Sequence, residues 1–188
     1  MTRQRRSRPA TLEDLDQMLM KDPPSKDLPD NLWCDLAQDL WTAIWADECE
    51  NAIQIISAAH GQPSDWQADL VNLRSGGIPP LVWLVRHCAE PSGNIAFWMA
   101  LIHALLDAGA SVNAQDADRG MTALHYAASH PLLGVAKVLV EEYHADITIK
   151  DDRGFTPKDA AKFMKELMEG NDAGYDQIID WLGRIESR

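Results

Sequence analysis

Cysteine is scarce in this 188-residue chain. Cys34, Cys49 and Cys88 make an odd number with no CxxC spacing. That argues against a disulfide framework and points to a reducing compartment. No histidine or cysteine group has the spacing of a zinc site. Long apolar runs are absent as well: the greasiest stretch, AFWMALIHALL (Ala96 to Leu106), contains His103 and is short of the roughly 18 to 20 residues that span a bilayer. The start of the chain lacks the apolar segment of a secretory signal, and Glu13, Asp14 and Asp16 disfavour an organelle transit peptide.

Basic charge is short too. The chain holds 17 Lys and Arg against 29 Asp and Glu, and four of the 17 (Arg3, Arg5, Arg6, Arg8) fall in the first eight positions. The acidic remainder repels phosphate, so the folded part is not expected to bind nucleic acid, although it would tolerate a basic partner. The RQRRSR stretch reads as a nuclear-import or nucleic-acid patch, as a kinase target at Ser7, or as a solubilising tail.

Catalytic chemistry finds no footing. RSGGIPP lacks the Lys and the following Ser or Thr of a phosphate loop. His87 and Cys88 are neighbours on a helix, where side chains diverge by about 100°, so they do not form a dyad. His103 lies in an apolar helix and reads as core; His130 and His144 sit at turns. No enzyme activity, cofactor, metal or small-molecule substrate is expected.

What the sequence does contain is a doubled phrase. DRGMTALHYAA (Asp118 to Ala128) returns as DDRGFTPKDAA (Asp151 to Ala161), with Gly120 and Gly154 34 residues apart. Each Gly suits a turn with positive φ, and the Thr two residues on (Thr122, Thr156) can cap a helix. Pro157 then stands at a first helical position, where its missing N–H does no harm. Between the copies, GVAKVLVEEY (Gly134 to Tyr143) places Val135, Val138, Leu139 and Tyr143 at helical spacing, and HADITIKD makes a looped return. The unit is helix, turn, helix, loop. A period of this length marks a stacked array in which no unit buries its apolar face alone.

TALHYA matches five of six positions of the T-P-L-H-x-A signature, and GASVNAQD (Gly109 to Asp116) has the form of the following loop. The chain therefore resembles the ankyrin repeat family, most clearly over residues 101 to 162. Further copies are drifted. SGGIPPLVWLV (Ser75 to Val85) resembles a repeat start, and Val71-Asn72 matches Val112-Asn113. Stretches 62–69, 88–96 and 169–174 read as insertions.

The expected fold is all-α: a helical solenoid of about four helix-turn-helix repeats with short hairpin loops, at approximately 31–70, 71–114, 115–148 and 149–188. A basic tail (1–10) and a short N-terminal helix with its linker (11–30) precede it. In that helix Thr11 and Asp14 resemble a capping box, Leu12, Leu15 and Leu19 form a stripe, and Pro23-Pro24 ends it.

The resemblance implies a protein-protein interaction module that docks a partner protein or peptide on the concave face built from hairpin tips and first helices; it gives the mode of action and not the partner. Carried over by alignment, that face comprises Ile78, Trp83, Arg86 and His87, then Arg119, Met121, Tyr126, Ser129 and His130, then Arg153, Phe155 and Ala160. Met121 and Phe155 are expected at solvent-facing tips. Met121, Tyr126, Phe155 and Trp83 would be apolar anchors, and Arg119 and Arg153 polar clamps. His125 would tie turns together. The module is expected to be a monomeric adaptor in the cytoplasm, with the nucleus as the alternative site. A second reading makes it a structural subunit of a larger complex, contacted through its insertions and N-terminal helix.

Overall fold

The computed structural model describes residues 30–46, 48–58, 64–88, 95–168 and 173–187. The basic tail, the expected N-terminal helix and parts of all three insertions lie outside these residues.

The described residues are all-α, with isolated β-bridges at two hairpins and no strand. The helices are α1 (Asp30–Trp45), α2 (Cys49–Ala58), α3 (Ser64–Asn72), α4 (Pro80–His87), α5 (Ile95–Asp107), α6 (Ala123–Ser129), α7 (Leu133–Lys137), α8 (Pro157–Leu167) and α9 (Ala173–Glu186). A π-helical turn, Val138–Glu142, continues α7. The first helices α1, α4, α6 and α8 pack successively against one another in one layer. The second helices α2, α5, α7 and α9 lie behind them. One core runs through the stack, from Leu40, Trp41 and Ile44 through Leu81, Leu84, Leu101 and Leu105 to Leu124, Leu139, Ile178 and Leu182.

The doubled phrase folds as its residue types require. Thr122 caps α6 by accepting from the His125 N–H, and Thr156 caps α8 by accepting from the Asp159 N–H. Both caps are reciprocal. His125 Nδ1 accepts from the Thr122 N–H at 3.2 Å, and Asp159 Oδ2 accepts from the Thr156 N–H at 3.3 Å. Asp159 departs from the signature histidine yet offers the same acceptor at the same position. Gly77 (φ +83°) and Gly120 (φ +66°) have a second reason to lack a side chain, besides their left-handed backbone. A Cβ would stand 2.7 Å from Ala117 Cβ at Gly77 and 2.5 Å from Asp152 Oδ1 at Gly120, because the next hairpin stacks directly on each.

Two sequence expectations are corrected. The match of Val71-Asn72 to Val112-Asn113 made Leu70 to Gly77 an expected hairpin loop, yet Ser64–Asn72 is helical, since Leu70 and Val71 are buried and hold it down. The segment after Gly134 was expected as a regular helix. It ends instead in a wider turn, with Tyr143 N–H donating to Val138 O and Ala145 N–H to Leu139 O. A π turn accommodates one additional residue, which is the difference between the 34-residue period here and the usual 33. His144 then takes the glycine place with φ +57°.

Candidate partner-binding surface

The hairpins are joined tip to tip. Ala117 N–H donates to Gly77 O at 3.1 Å, and Asp152 N–H to Arg119 O at 2.9 Å. Side chains add a second seam. Arg74 donates to Gln115 O (2.7 Å), and Gln115 donates to Lys150 O (3.0 Å). The asparagines of the matched Val-Asn pairs form a third: Asn72 Oδ1 accepts from Ser111 N–H and Asn113 Oδ1 from Asp146 N–H. His125 closes a fourth, with Nε2 donating to Phe155 O at 3.0 Å. Its Nδ1 is committed as acceptor, so the ring is the neutral Nε2–H tautomer. Burial is the main cause that lowers its pKa, against the opposing pull of the Phe155 carbonyl and of Asp151 and Asp116. The expectation that His125 is a structural tie holds.

A buried aspartate organises each of the last two hairpins. Asp116 Oδ1 accepts from the N–H groups of Arg119 (2.7 Å) and Met121 (3.4 Å); Asp151 Oδ1 accepts from those of Arg153 and Phe155, both at 2.9 Å. The second oxygens are served differently. Asp116 Oδ2 takes the Tyr126 hydroxyl at 2.7 Å. The equivalent of Tyr126 in the last unit is Ala160, which has no donor, and Arg153 folds back so that Nε and Nη2 both reach Asp151 Oδ2 at 3.2 Å. Burial alone would raise the Asp151 pKa, but these donors together hold it below the ordinary carboxylate value. Burial first, and then the Asp116 carboxylate, push the Tyr126 hydroxyl above the usual phenol range.

These contacts correct the expected exposure of five candidates. Met121 is 2% exposed, not a solvent-facing tip, because the fourth hairpin stacks over the third. Tyr126 is equally buried, with its hydroxyl on Asp116, its ring against His130 and the Arg86 guanidinium 5.7 Å above it. Ser129 is buried beneath α9, its carbonyl accepting from the Tyr175 hydroxyl. Ala160 is buried between helices. Trp83 is nearly so, packed among Trp41, Trp45 and His87.

The remaining candidates reach solvent. Ile78, Arg86, His87, His130 and Phe155 are half-buried, and Arg119 and Arg153 are exposed. Two ring pairs recur at the ends of first helices: His87 on Trp83 (centroids 3.9 Å) and His130 on Tyr126 (6.4 Å). Each imidazole Nδ1 lies within 2.9 Å of the carbonyl four residues back. In the last unit Arg153 lies over both Phe155 (4.9 Å) and Phe163 (5.1 Å). Phe163 was absent from the expected set. It stands seven residues after Thr156, as Ser129 stands seven after Thr122, so the alignment that selected Ser129 also points to it.

Stacked helix pairs joined by hairpins, with Thr-capped first helices at Ala123–Ser129 and Pro157–Leu167, fit an ankyrin array. Residues 105–161 match the family model for ankyrin repeats in many copies. This part of the chain is ankyrin repeat. No curated protein matches the chain. Ankyrin repeats are generally protein-protein interaction modules and typically not catalytic. No group of histidine, cysteine or acidic residues suited to a metal ion occurs among the described residues, and no described helix is long and apolar enough to cross a membrane.

Proposed function

We propose that the ankyrin repeats dock a partner protein or extended peptide on the face made by the hairpins and first helices, as an adaptor or regulator. One observation carries this. Solvent-reaching ring and guanidinium groups recur on that face in units two, three and four, each fixed by a contact of its own: His87 on Trp83, Arg86 and His130 on Tyr126, Arg153 on Phe155 and Phe163. Side chains already held in place lose little freedom on binding, which favours affinity. Arginine and aromatic groups are those that carry binding energy at interfaces.

Arg86, His87, Arg119, His130, Arg153 and Phe155 are the contacts; Trp83, Tyr126, Met121, Ser129 and Ala160 support them from beneath. Combined His87→Ala, His130→Ala and Phe155→Ala replacement is expected to weaken capture of a co-purifying partner at least about tenfold, the effect of losing one modest hot spot. Lys137→Ala, on the second-helix layer, should leave capture unchanged. Undiminished capture by a triple variant with native circular dichroism is the result that sinks the proposal.

One observation favours the structural-subunit reading. Leu167 (60% exposed) and Met168 (49%) are large apolar side chains in solvent, beside the expected insertion at 169–174. Paired Leu167→Ser and Met168→Ser replacement that releases the protein from a large complex on size-exclusion chromatography would favour it.

A further inference from the structure

Charge is divided between the two layers. The hairpins and first helices of units two to four (residues 74–88, 115–130 and 150–168) carry eight Lys or Arg and six Asp or Glu. The second helices behind them (α5, α7 with its π turn, and α9) carry two and six. The acidity of the whole chain therefore misdescribes this face, which is the cationic side of the stack.

Most cations on it are already engaged. Arg74 is held by carbonyls, Lys158 by Glu186, Lys165 by Asp176, Arg153 by Asp151, and Lys162 lies 3.6 Å from Asp159. Three remain, Lys150 at the start of the fourth hairpin, which makes no ion pair among the described residues, and the two arginines Arg86 and Arg119. Neither arginine pairs with a carboxylate among the described residues. Arg119 stays outward because the Tyr126 hydroxyl already occupies the Asp116 oxygen that its counterpart Arg153 finds vacant on Asp151. Arg86 lies over the Tyr126 ring, and the positive charges of both arginines are felt at the Tyr126 hydroxyl. Around them stand the half-buried His87 and His130, while the exposed acids of the tips, Asp118 and Asp152, make no ion pair with either arginine.

We infer that the partner presents an acidic, extended segment to this face, with an Asp or Glu side chain seated against Arg86 and Arg119 over the Tyr126–His130 stack. The inference rests on the docking surface proposed above and adds the chemistry of its occupant. A carboxylate there gains two charge-assisted hydrogen-bond donors that have no competing protein acceptor. A basic segment meets the like charge of both arginines, which selects against it.

The test is selection from a random dodecapeptide display library on the full chain, followed by fluorescence anisotropy of the enriched peptides. Net-acidic peptides should be enriched, and their affinity should fall as salt rises. Arg119→Glu and Arg86→Glu should each weaken binding about tenfold or more. Lys137→Glu makes the same charge change on the other layer and should have no effect. Arg119 is exposed, so its variant remains informative if Arg86→Glu disturbs folding. Enrichment of neutral or basic peptides whose binding is still lost in the His87, His130, Phe155 variant overturns the acidic occupant and leaves the docking face standing. Binding that ignores every substitution on this face overturns both, as does the absence of any enriched peptide. Enrichment of acidic peptides that respond equally to Lys137→Glu reduces the effect to net charge and overturns the seat at Arg86 and Arg119.

Discussion

Replacing Tyr126 with Phe removes one oxygen from the centre of the stack and should cost about 2 kcal/mol. The hydroxyl donates to Asp116 Oδ2 at 2.7 Å, and both residues are essentially buried. Hydrogen bonds to charged groups contribute roughly 1.5–3 kcal/mol, and leaving a buried acceptor without its donor adds desolvation cost. The effect falls short of the 3–5 kcal/mol seen when a buried ion pair is broken. Asp116 keeps the Arg119 and Met121 amides, and Arg86 and Arg119 stand near enough to offset part of the exposed charge. The ring, its stack with His130 and its packing are unchanged in Phe. For a chain of this size the loss should lower Tm by about 4–8 °C. Urea denaturation followed by circular dichroism at pH 7 measures it. A double-mutant cycle with Asp116→Asn isolates the pair, with an expected coupling of about 1.5 kcal/mol or more. Arg153→Gln removes the corresponding donor from Asp151. That guanidinium is 49% exposed, so its loss should cost under about 1 kcal/mol. A Tyr126→Phe effect below about 0.5 kcal/mol, or additivity in the cycle, would refute the assignment of Asp116 as the hairpin's organising acceptor.

Stability should also respond to pH through His125. Its folded pKa is lowered by burial, so below its unfolded value of about 6.5 the unfolded chain takes up the proton first. Stability is then fully present above that value and declines as pH falls toward the folded pKa; His125→Asn, which keeps a side-chain acceptor for Thr122, should flatten the slope between pH 7 and 5.5 in urea titrations. Asp151 acts lower on the scale. Its depressed folded pKa contributes stability above about 3.9 that disappears as pH drops through the folded value, and Asp151→Asn should remove this part of the acid transition. His144→Gly should stabilise by about 1 kcal/mol, because a non-glycine residue at φ +57° carries a left-handed penalty of that order; an unchanged or lowered midpoint refutes strain there. Asn72→Ala should cost about 1–2 kcal/mol, since it loses donors to Ala68 O and Gly109 O and the acceptor for Ser111 N–H, and Asn113→Ala should cost less, having one such link.

What could be read from the sequence was whatever a repeat must keep. Gly120, Thr122 and Pro157 are dictated by backbone geometry within a few residues, so their types alone announced turns and caps. Asn72 and Asn113 were legible as a matched pair, although their task of bridging units was not, because it depends on where the neighbouring loop passes. The helix at Ser64–Asn72 was missed for a related reason. A short stretch with Pro and Gly before it looks like a loop until Leu70 and Val71 are seen to be buried.

The candidate surface was harder because exposure is a property of the stack, not of a single unit. Met121 and Phe155 occupy one hairpin position, yet Met121 has a hairpin stacked above it and Phe155 has none among the described residues. Tyr126 and Ala160 occupy one helix position, and the difference between them decides the fate of two arginines elsewhere. With Tyr126 present, Asp116 is satisfied and Arg119 is left facing solvent. With Ala160 there instead, Asp151 draws Arg153 back onto its own hairpin, where it lies over Phe155 and Phe163. Alignment gives Arg119 and Arg153 the same role because they share a place in the repeat. Their chemistry separates them: the residue that sets each arginine's role lies seven positions on, in the first helix, and acts through a buried carboxylate that neither arginine was expected to meet.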